Sequence, residues 1–402
     1  MKNIYHSDIY KFNTPVKSYW EDNSQENLNL EKLTKDVKSE IVVIGGGYTG
    51  LLCAINLIEN HNLDVILVEA GKIGWGASSR NAGFNCLPPS KMSFKKMQSI
   101  YGNDETKKFY KNSVEGSNYT KDIIKEYNID CDVTGNSNYV VAHHPNKFEQ
   151  IKEQARAYKD EFEIETEVYS KEEFNQIGHG GTEQYGAFSY KPGFAINPLK
   201  FVNGIAKHAL SKKLKIFEHT KVDQINKDNG SYLLKTKEGS IRSKKIVLAT
   251  NGFYQEGLIP KMDGRVLPVI SNIIVTRKLN DDELNAHNFK TFSPIANTKN
   301  LLYYYRKLPD NRILFGTRGD LSGSDQSNLD MSKKMEKFLK DIFPKWSNIN
   351  IEYNWRGLIA LSQKLTPSIG KIDNEEIYYG FGYNGVGVSA APWTGKQLSK
   401  LV

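Results

Sequence analysis

The sequence predicts an α/β protein in two interleaved parts, and three observations carry that prediction. A β-branched run, Ile41–Ile44, passes through three consecutive glycines, Gly45–Gly47, into apolar positions Leu51, Leu52, Ile55 and Ile58 at helical spacing. A second strand-and-turn segment, KKIVLATNGF (244–253), and a glycine-rich one, YYGFGYNGVGVSAAPWTGKQL (378–398), follow far downstream. Long stretches lie between them, and the one across 270–320 alternates as antiparallel strands do. The expected architecture is a Rossmann-like nucleotide-binding domain with a discontinuous α+β domain on a mixed, largely antiparallel sheet. Its segments are an N-terminal arm at 1–38, a nucleotide-binding domain at 39–84, 194–262 and 355–402, and a substrate domain at 85–193 and 263–354.

Composition narrows the function classes. A chain of 402 residues exceeds one simple core. Its net charge of +8 comes from dispersed lysines, with no basic block interleaved with aromatics, so no nucleic-acid footprint is expected. The length of the charge-free run Ile41–Ile58 alone would permit a membrane span, but the three glycines inside it argue against one. Cys53, Cys86 and Cys131 have neither paired nor metal-ligand spacing, so no metal site is expected. The N-terminus, MKNIYHSDIYKFNTP, has no apolar segment of signal-peptide type, and a cytoplasmic protein is the expectation.

Taken in order, the arm is polar and irregular, with Tyr19 and Trp20 as its anchor. Strand 41–45, helix 48–60 and strand 64–69 make a βαβ unit. The small-residue loop GWGASSRNAG spans Gly74–Gly83. Helix is expected around 92–127, strand at 138–144 and helix near 146–160. At 197–213, Asn197 suits the N-cap and Pro198 the first helical position. Three strands with Asp-Asn-Gly and Glu-Gly turns follow, the first carrying Val222. ISNIIVTRKL, LLYYYRKL and NRILFGTRG are strands of the second sheet, and a helix near 329–342 precedes Pro344. A last helix follows Gly387, and Pro392 suits it only in the first turn.

Gly45, Gly47 and Gly50 form G-x-G-x-x-G between a strand and a helix. The first allows a tight turn, the second lets backbone approach a pyrophosphate, and the third lets helix pack on strand. The helix start adds free N–H groups and about half a positive charge. Glu69, ending VILVE roughly 20 residues on, is placed to accept from a ribose. NAD and FAD both satisfy this pattern. The loop with Gly76, Ala77, Ser78, Ser79, Arg80, Asn81 and Ala82 tips the balance towards a long cofactor lying close to the chain.

VVIGGGYTGLLCAINL…VILVEAGKIGWGASSRNAG resembles the FAD-binding half of the D-amino-acid oxidase family, within it the γ-glutamylputrescine oxidase-like and glycine/sarcosine oxidase-like flavoproteins. SYW (18–20), KKIVLATNGF and the C-terminal glycine segment extend the resemblance over about 18 to 400. It implies non-covalent FAD. Gly45, Gly47 and Gly50 would face the pyrophosphate and Glu69 would hold the adenosine ribose, with Tyr48, Thr49 and Ala70 also binding the cofactor. Ser78 to Gly83 would line the cofactor, with Asn81 to Gly83 nearest the flavin, and the Val222 backbone would meet adenine. Ala249, Thr250 and Gly252 would pack on FAD. Gly382, Tyr383, Asn384, Gly385, Val386 and Gly387 would meet the flavin pyrimidine edge. Val386 stands where many relatives have His, and Leu314 where some have a lysine that aids reaction with oxygen.

The resemblance also implies oxidation of a C–N bond in a small amine or amino acid (γ-glutamyl-polyamine, N-methyl amino acid or D-amino acid class), with an imine product that hydrolyses. Oxygen and a respiratory carrier both stay open as electron acceptor. Tyr305, Arg318 and Arg356 are the substrate-side candidates, an Arg being suited to a bidentate carboxylate. An FAD monooxygenase, an NAD-dependent enzyme on a similar fold and a non-catalytic flavin-bearing subunit are the alternatives.

Overall fold

The structure, a computed structural model, describes residues 4–24, 26–88 and 90–402. Residues 1–3 and 25 of the expected arm and residue 89 of the expected substrate segment lie outside the described residues.

The first β-strand, Val37–Ile44, pairs in parallel with Val65–Val68 on one side and Ser240–Leu248 on the other. Lys215–Phe217 and Ile377–Phe381 continue the parallel sheet outward, and Ser368–Lys371 closes one edge antiparallel. A hairpin of Gln224–Asp228 and Ser231–Lys235 adds antiparallel strands beside Ser240–Leu248. Strand alternation divides the core in two. Val43, Leu67 and Val247 meet Leu51, Leu52, Phe201, Ile205 and Leu398 from the helices Tyr48–His61, Pro198–Ser211 and Gly387–Ser399. Val42, Ile66 and Ile246 point the other way, towards Leu258, Met262 and Ala360.

The second sheet has eight strands, and it is antiparallel except where Ile295–Asn297 runs parallel to Asn138–Val141. Ile351–Ser362, Val266–Thr276, Ile313–Arg318 and Tyr304–Lys307 are consecutive neighbours at one end. The helix Asp325–Ile342 buries Met331, Met335 and Leu339 on one face of it. Because Ile351–Ser362 is a strand of this sheet, the segment boundary expected at 355 falls inside one strand.

The arm is largely irregular. Tyr19 and Trp20 are 5% and 1% exposed, and the Trp20 indole donates to the Asn81 carbonyl at 3.0 Å. Asn197 caps its helix by accepting from the Leu199 and Lys200 amides. The expected helix around 92–127 is Phe94–Glu126, broken at Gly102, where φ is +82°. Among the described residues no helix is long and apolar enough to cross a membrane, and no group of three or more His, Cys, Asp or Glu side chains is placed to hold a metal ion.

Two local expectations are corrected. Val222 is on no strand; it lies in the connection between Phe217 and Gln224, buried among Leu33, Val42 and Ile66. Three contacts shape that connection: the Thr220 amide donates to the Glu69 carbonyl, the Thr220 hydroxyl donates to the Glu218 carbonyl, and the Asp223 amide donates to the Lys235 carbonyl. Pro392 is the sixth residue of the helix Gly387–Ser399, not part of its first turn. A proline there leaves the carbonyl four residues earlier without its helical donor. That carbonyl, on Val388, accepts from the Thr120 hydroxyl at 3.0 Å. The neighbouring helix thus supplies the donor that Pro392 lacks.

Thr120→Val should therefore lower stability by about 1–3 kcal/mol, the cost of an unsatisfied buried carbonyl. In a Pro392→Ala background, where an N–H is restored, the same substitution should cost clearly less. Denaturant unfolding of the four proteins checks this, and equal costs in both backgrounds would remove the assigned role of Thr120.

Candidate functional site

The glycines after the first strand are required for different reasons. A Cβ on Gly50 would lie 1.9 Å from the Gly45 carbonyl oxygen, so helix and strand approach too closely for any side chain. Gly45 has φ +115°, and a Cβ there would meet the Ala249 carbonyl at 2.7 Å. Gly47 faces open space apart from the Ser78 side chain, and it lines a cavity of about 110 Å³. It is the N-cap of the helix and offers no capping side chain. The Tyr48 amide donates to Ser78 Oγ at 3.2 Å, and the Leu51 amide is the first to close on the helix, donating to the Gly47 carbonyl. The Thr49 and Gly50 amides have no acceptor among the described residues. A helix start with free amides and a bare glycine has the donors and the room that an anion cradle requires.

Glu69 ties this turn to the following loop. Its carboxylate accepts from the Gly46 amide at 2.7 Å and the Gly71 amide at 2.9 Å. Burial pushes its pKa up, while the two amides and a nearby Ala70 amide pull the other way. The loop then folds as one helical turn, Ala77–Arg80. The Tyr48 hydroxyl donates to the Ser78 carbonyl at 2.7 Å, and the Asn81 carboxamide donates to the Ala77 and Ser78 carbonyls. Arg80 is committed to backbone, donating to Trp75 at 2.7 Å and Arg356 at 3.1 Å, with its guanidinium 3.9 Å from the Trp75 ring centroid.

The C-terminal turn has Gly382, Asn384 and Gly385 at positive φ. Asn251 accepts from the Gly382 amide, and Ala360 from the Asn384 amide. Tyr383 joins this turn to the first helix: its hydroxyl lies 2.5 Å from Thr49 Oγ1. The helix Gly387–Ser399 starts here, also without a side-chain cap. Ala77, Asn81, Ile359, Gly385 and Gly387 border both the small cavity and a larger one of about 300 Å³, so the two meet at that point.

Strand parity decides which second-sheet residues reach the larger cavity. Ser271, Ile273, Tyr304, Arg318, Gly357 and Ile359 share its wall. Tyr304 pairs with Gly316, whose missing side chain leaves room for the tyrosine ring; a Cβ there would meet that ring at 2.0 Å. Of the three substrate-side candidates, only Arg318 lies on this wall. Tyr305 points the opposite way into the core, where its hydroxyl meets His179 Nε2 at 2.9 Å. Arg356 pairs with Asn272 on the far face and binds Asp325 at 2.9 Å. Tyr305 and Arg356 are thus corrected to core and ion-pair residues.

Of the residues expected around a cofactor, Gly47, Tyr48, Thr49, Gly76, Ala77, Ser78, Asn81, Ala249, Thr250, Tyr383, Gly385 and Gly387 line the small cavity. Arg80, Ala82 and Val386 line the larger one. Gly45, Gly50, Gly83 and Gly252 serve close packing, Gly83 lying where a Cβ would meet the Ile196 carbonyl at 1.9 Å. Ser79 borders a separate space under the arm, and Val222 borders neither cavity. Sequence reasoning missed Tyr304, Ser271 and Lys91, which line the larger cavity. Gly316, opposite a run of three tyrosines, was the signal for Tyr304.

A family model described as "FAD dependent oxidoreductase" (DAO) matches residues 40–401. The chain is 27% identical over 400 residues to a probable oxidoreductase OrdL of Haemophilus influenzae, covering 98% of this chain and 89% of that protein. It is 27% identical over 388 residues to the gamma-glutamylputrescine oxidoreductase of Escherichia coli, covering 96% and 89%. Among solved structures, glycine oxidase from Geobacillus kaustophilus has a TM-score of 0.74 at 17% identity, covering 90% of this chain and 94% of that one. The L-proline dehydrogenase from P. horikoshii has a TM-score of 0.73 at 21% identity, covering 92% and 94%.

Gly47→Val should fill the cradle while leaving the packing glycines intact. The expected product has the parent's circular dichroism and has lost its visible absorbance. A folded variant that remains fully yellow would contradict the assignment of the cradle.

Proposed function

The chain belongs to the DAO family of FAD-dependent oxidoreductases, and on that premise we propose that it oxidises a C–N bond of a small amine or amino acid. One observation carries the reading: the cradle cavity and the larger cavity meet at Asn81, Gly385 and Gly387, so a cofactor anchored at Gly47 would present its ring to a separate space for substrate.

The residues fit FAD. The bare Gly47 and the free Thr49 and Gly50 amides would hold the pyrophosphate. Glu69 would hold the ribose and the Val222 backbone the adenine, both beyond the two cavities, which neither residue lines. Asn81 and the start of the helix Gly387–Ser399 would meet the flavin. When bound, FAD supplies a hydride acceptor; the protein's work is placement and electrostatics. The positive end of that helix favours negative charge at the point where the cavities meet. Apolar walls from Phe84, Leu87, Ile273 and Leu358 penalise an ammonium and favour the neutral amine. No Asp, Glu or His lines the larger cavity among the described residues, so the site offers no acid–base dyad. Burial pushes the Cys86 thiol up to about 12, which leaves it a protonated, poor nucleophile and favours a non-covalent flavin.

Two measurements test the proposal. The purified protein should be yellow and should release that colour on denaturation. Anaerobic addition of N-methyl amino acids, D-amino acids or γ-glutamyl-amines should bleach it. Bleaching by NADPH without amine would instead favour a monooxygenase, and a flavin that no amine reduces would favour a non-catalytic subunit.

A further inference from the structure

Ser79 belongs to the loop expected around the cofactor, yet it lines neither the cradle nor the larger cavity. It borders a third cavity of about 290 Å³, enclosed by the arm, the loop that carries Trp75 and the helix Pro198–Ser211. Three side chains converge there from separate elements: Ser79 from the loop, Asn203 from the helix and Glu218 from the connection after Phe217. Each is only 5% exposed. The Ser79 hydroxyl and the Asn203 carboxamide have no hydrogen-bond partner among the described residues. One Glu218 carboxylate oxygen accepts from the Ile73 amide, and the other has no donor among the described residues. Polar groups withdrawn from water without partners are costly, and an unpaired carboxylate most of all.

Charge decides what the cavity can take. Glu21, Glu26 and Glu218 line it, against one lysine, Lys72. Glu21 is occupied by the Val16 and Lys17 amides, and Glu26 by Lys207. Leu199, Asn203 and Lys207 are four residues apart, so one helix face carries an apolar wall, the carboxamide and the Glu26 partner. Glu218 is the carboxylate left without a counter-ion among the described residues. Burial raises the Glu69 carboxyl, and the charge of Glu218 raises it further, so a cation at Glu218 would relieve both. No group of three or more His, Cys, Asp or Glu among the described residues is placed to hold a metal ion. The apolar walls, Leu28, Ile73, Trp75 and Leu199, suit an aliphatic stem instead.

We propose that this cavity is a second ligand site, which binds a small aliphatic ammonium ion between Glu218, Asn203 and Ser79. An –NH₃⁺ group has three donors, and the free Glu218 oxygen, the Asn203 carbonyl oxygen and the Ser79 hydroxyl oxygen are three acceptors. The site goes beyond the amine-oxidation reading and does not depend on it. Trp75 and Ser79 face this cavity, while Gly74, Gly76, Ala77 and Ser78 face the cradle. An ion bound here fastens that loop on the side away from the cofactor.

The test uses the holoenzyme and tert-butylammonium chloride, whose nitrogen-bearing carbon has no hydrogen to give up as hydride. The uncharged counterpart is tert-butanol, with sodium chloride matching the ionic strength. By calorimetry the ammonium should bind about 10- to 100-fold more tightly than the alcohol, the range expected for hydrogen bonds to a charged group. Glu218→Gln should abolish that preference. Asn203→Leu and Ser79→Ala should each weaken ammonium binding several-fold at parental flavin content and with no loss of melting temperature, because neither side chain has a partner to lose. On binding, hydrogen exchange should slow at residues 75–79. Equal binding of ammonium and alcohol would overturn the site. Ammonium binding that survives both Glu218→Gln and Asn203→Leu, or protection confined to the walls of the larger cavity, would overturn it too.

Discussion

The contact on which the rest of the molecule depends is the approach of Gly50 to the Gly45 carbonyl, closer than any side chain could tolerate. It seats the first helix on its strand so tightly that the helix start lies directly over the strand's end. Gly47, Tyr48 and Thr49, the last with a free amide, then border one small cavity. The Tyr383–Thr49 hydroxyl contact extends the same constraint across the chain, because it sets the C-terminal glycine turn against that helix start. Two helices that begin more than three hundred residues apart in sequence thereby direct their positive ends towards neighbouring spaces.

Around this pair the protein uses its large polar side chains as ties between segments. Trp20 reaches Asn81 from the arm, Trp355 reaches the Arg80 carbonyl from the second sheet, and Arg80 returns a bond to the Arg356 carbonyl. The loop Ala77–Asn81 is therefore fastened from three directions, which makes it a stiff wall between two cavities. Rigidity of this kind is what a cofactor site needs, since orientation is most of what the protein contributes.

Much of this was legible in the sequence because it is local. The glycine pattern, the strand alternation and the Asn197–Pro198 helix start are each encoded within a few residues, and each takes the expected form. The substrate wall was less legible because it depends on strand parity. Tyr303, Tyr304 and Tyr305 are equivalent by type, and only pairing with Gly316 turns Tyr304 towards the cavity. Arg356 misleads for the same reason: Gly357 faces the cavity and its neighbour cannot. Val222 and Pro392 depend on partners that no local pattern reveals, the turn contacts beside Glu69 and the Thr120 hydroxyl.

Parity also explains how one sheet serves two purposes. On the face that carries Asn272, Tyr305, Phe315 and Arg356, the side chains bond to one another, to His179 or to the helix Asp325–Ile342. On the face that carries Ser271, Tyr304 and Arg318, polarity is kept but satisfied sparingly: Tyr304 and Ser271 bond at 2.8 Å, and Arg318 at the strand end is left over. Beside open space an unpaired cation costs less than in the core, because water can reach it there. At Arg318 the surplus sits where the sheet borders open space, and that marks the side of the sheet on which the fold leaves room.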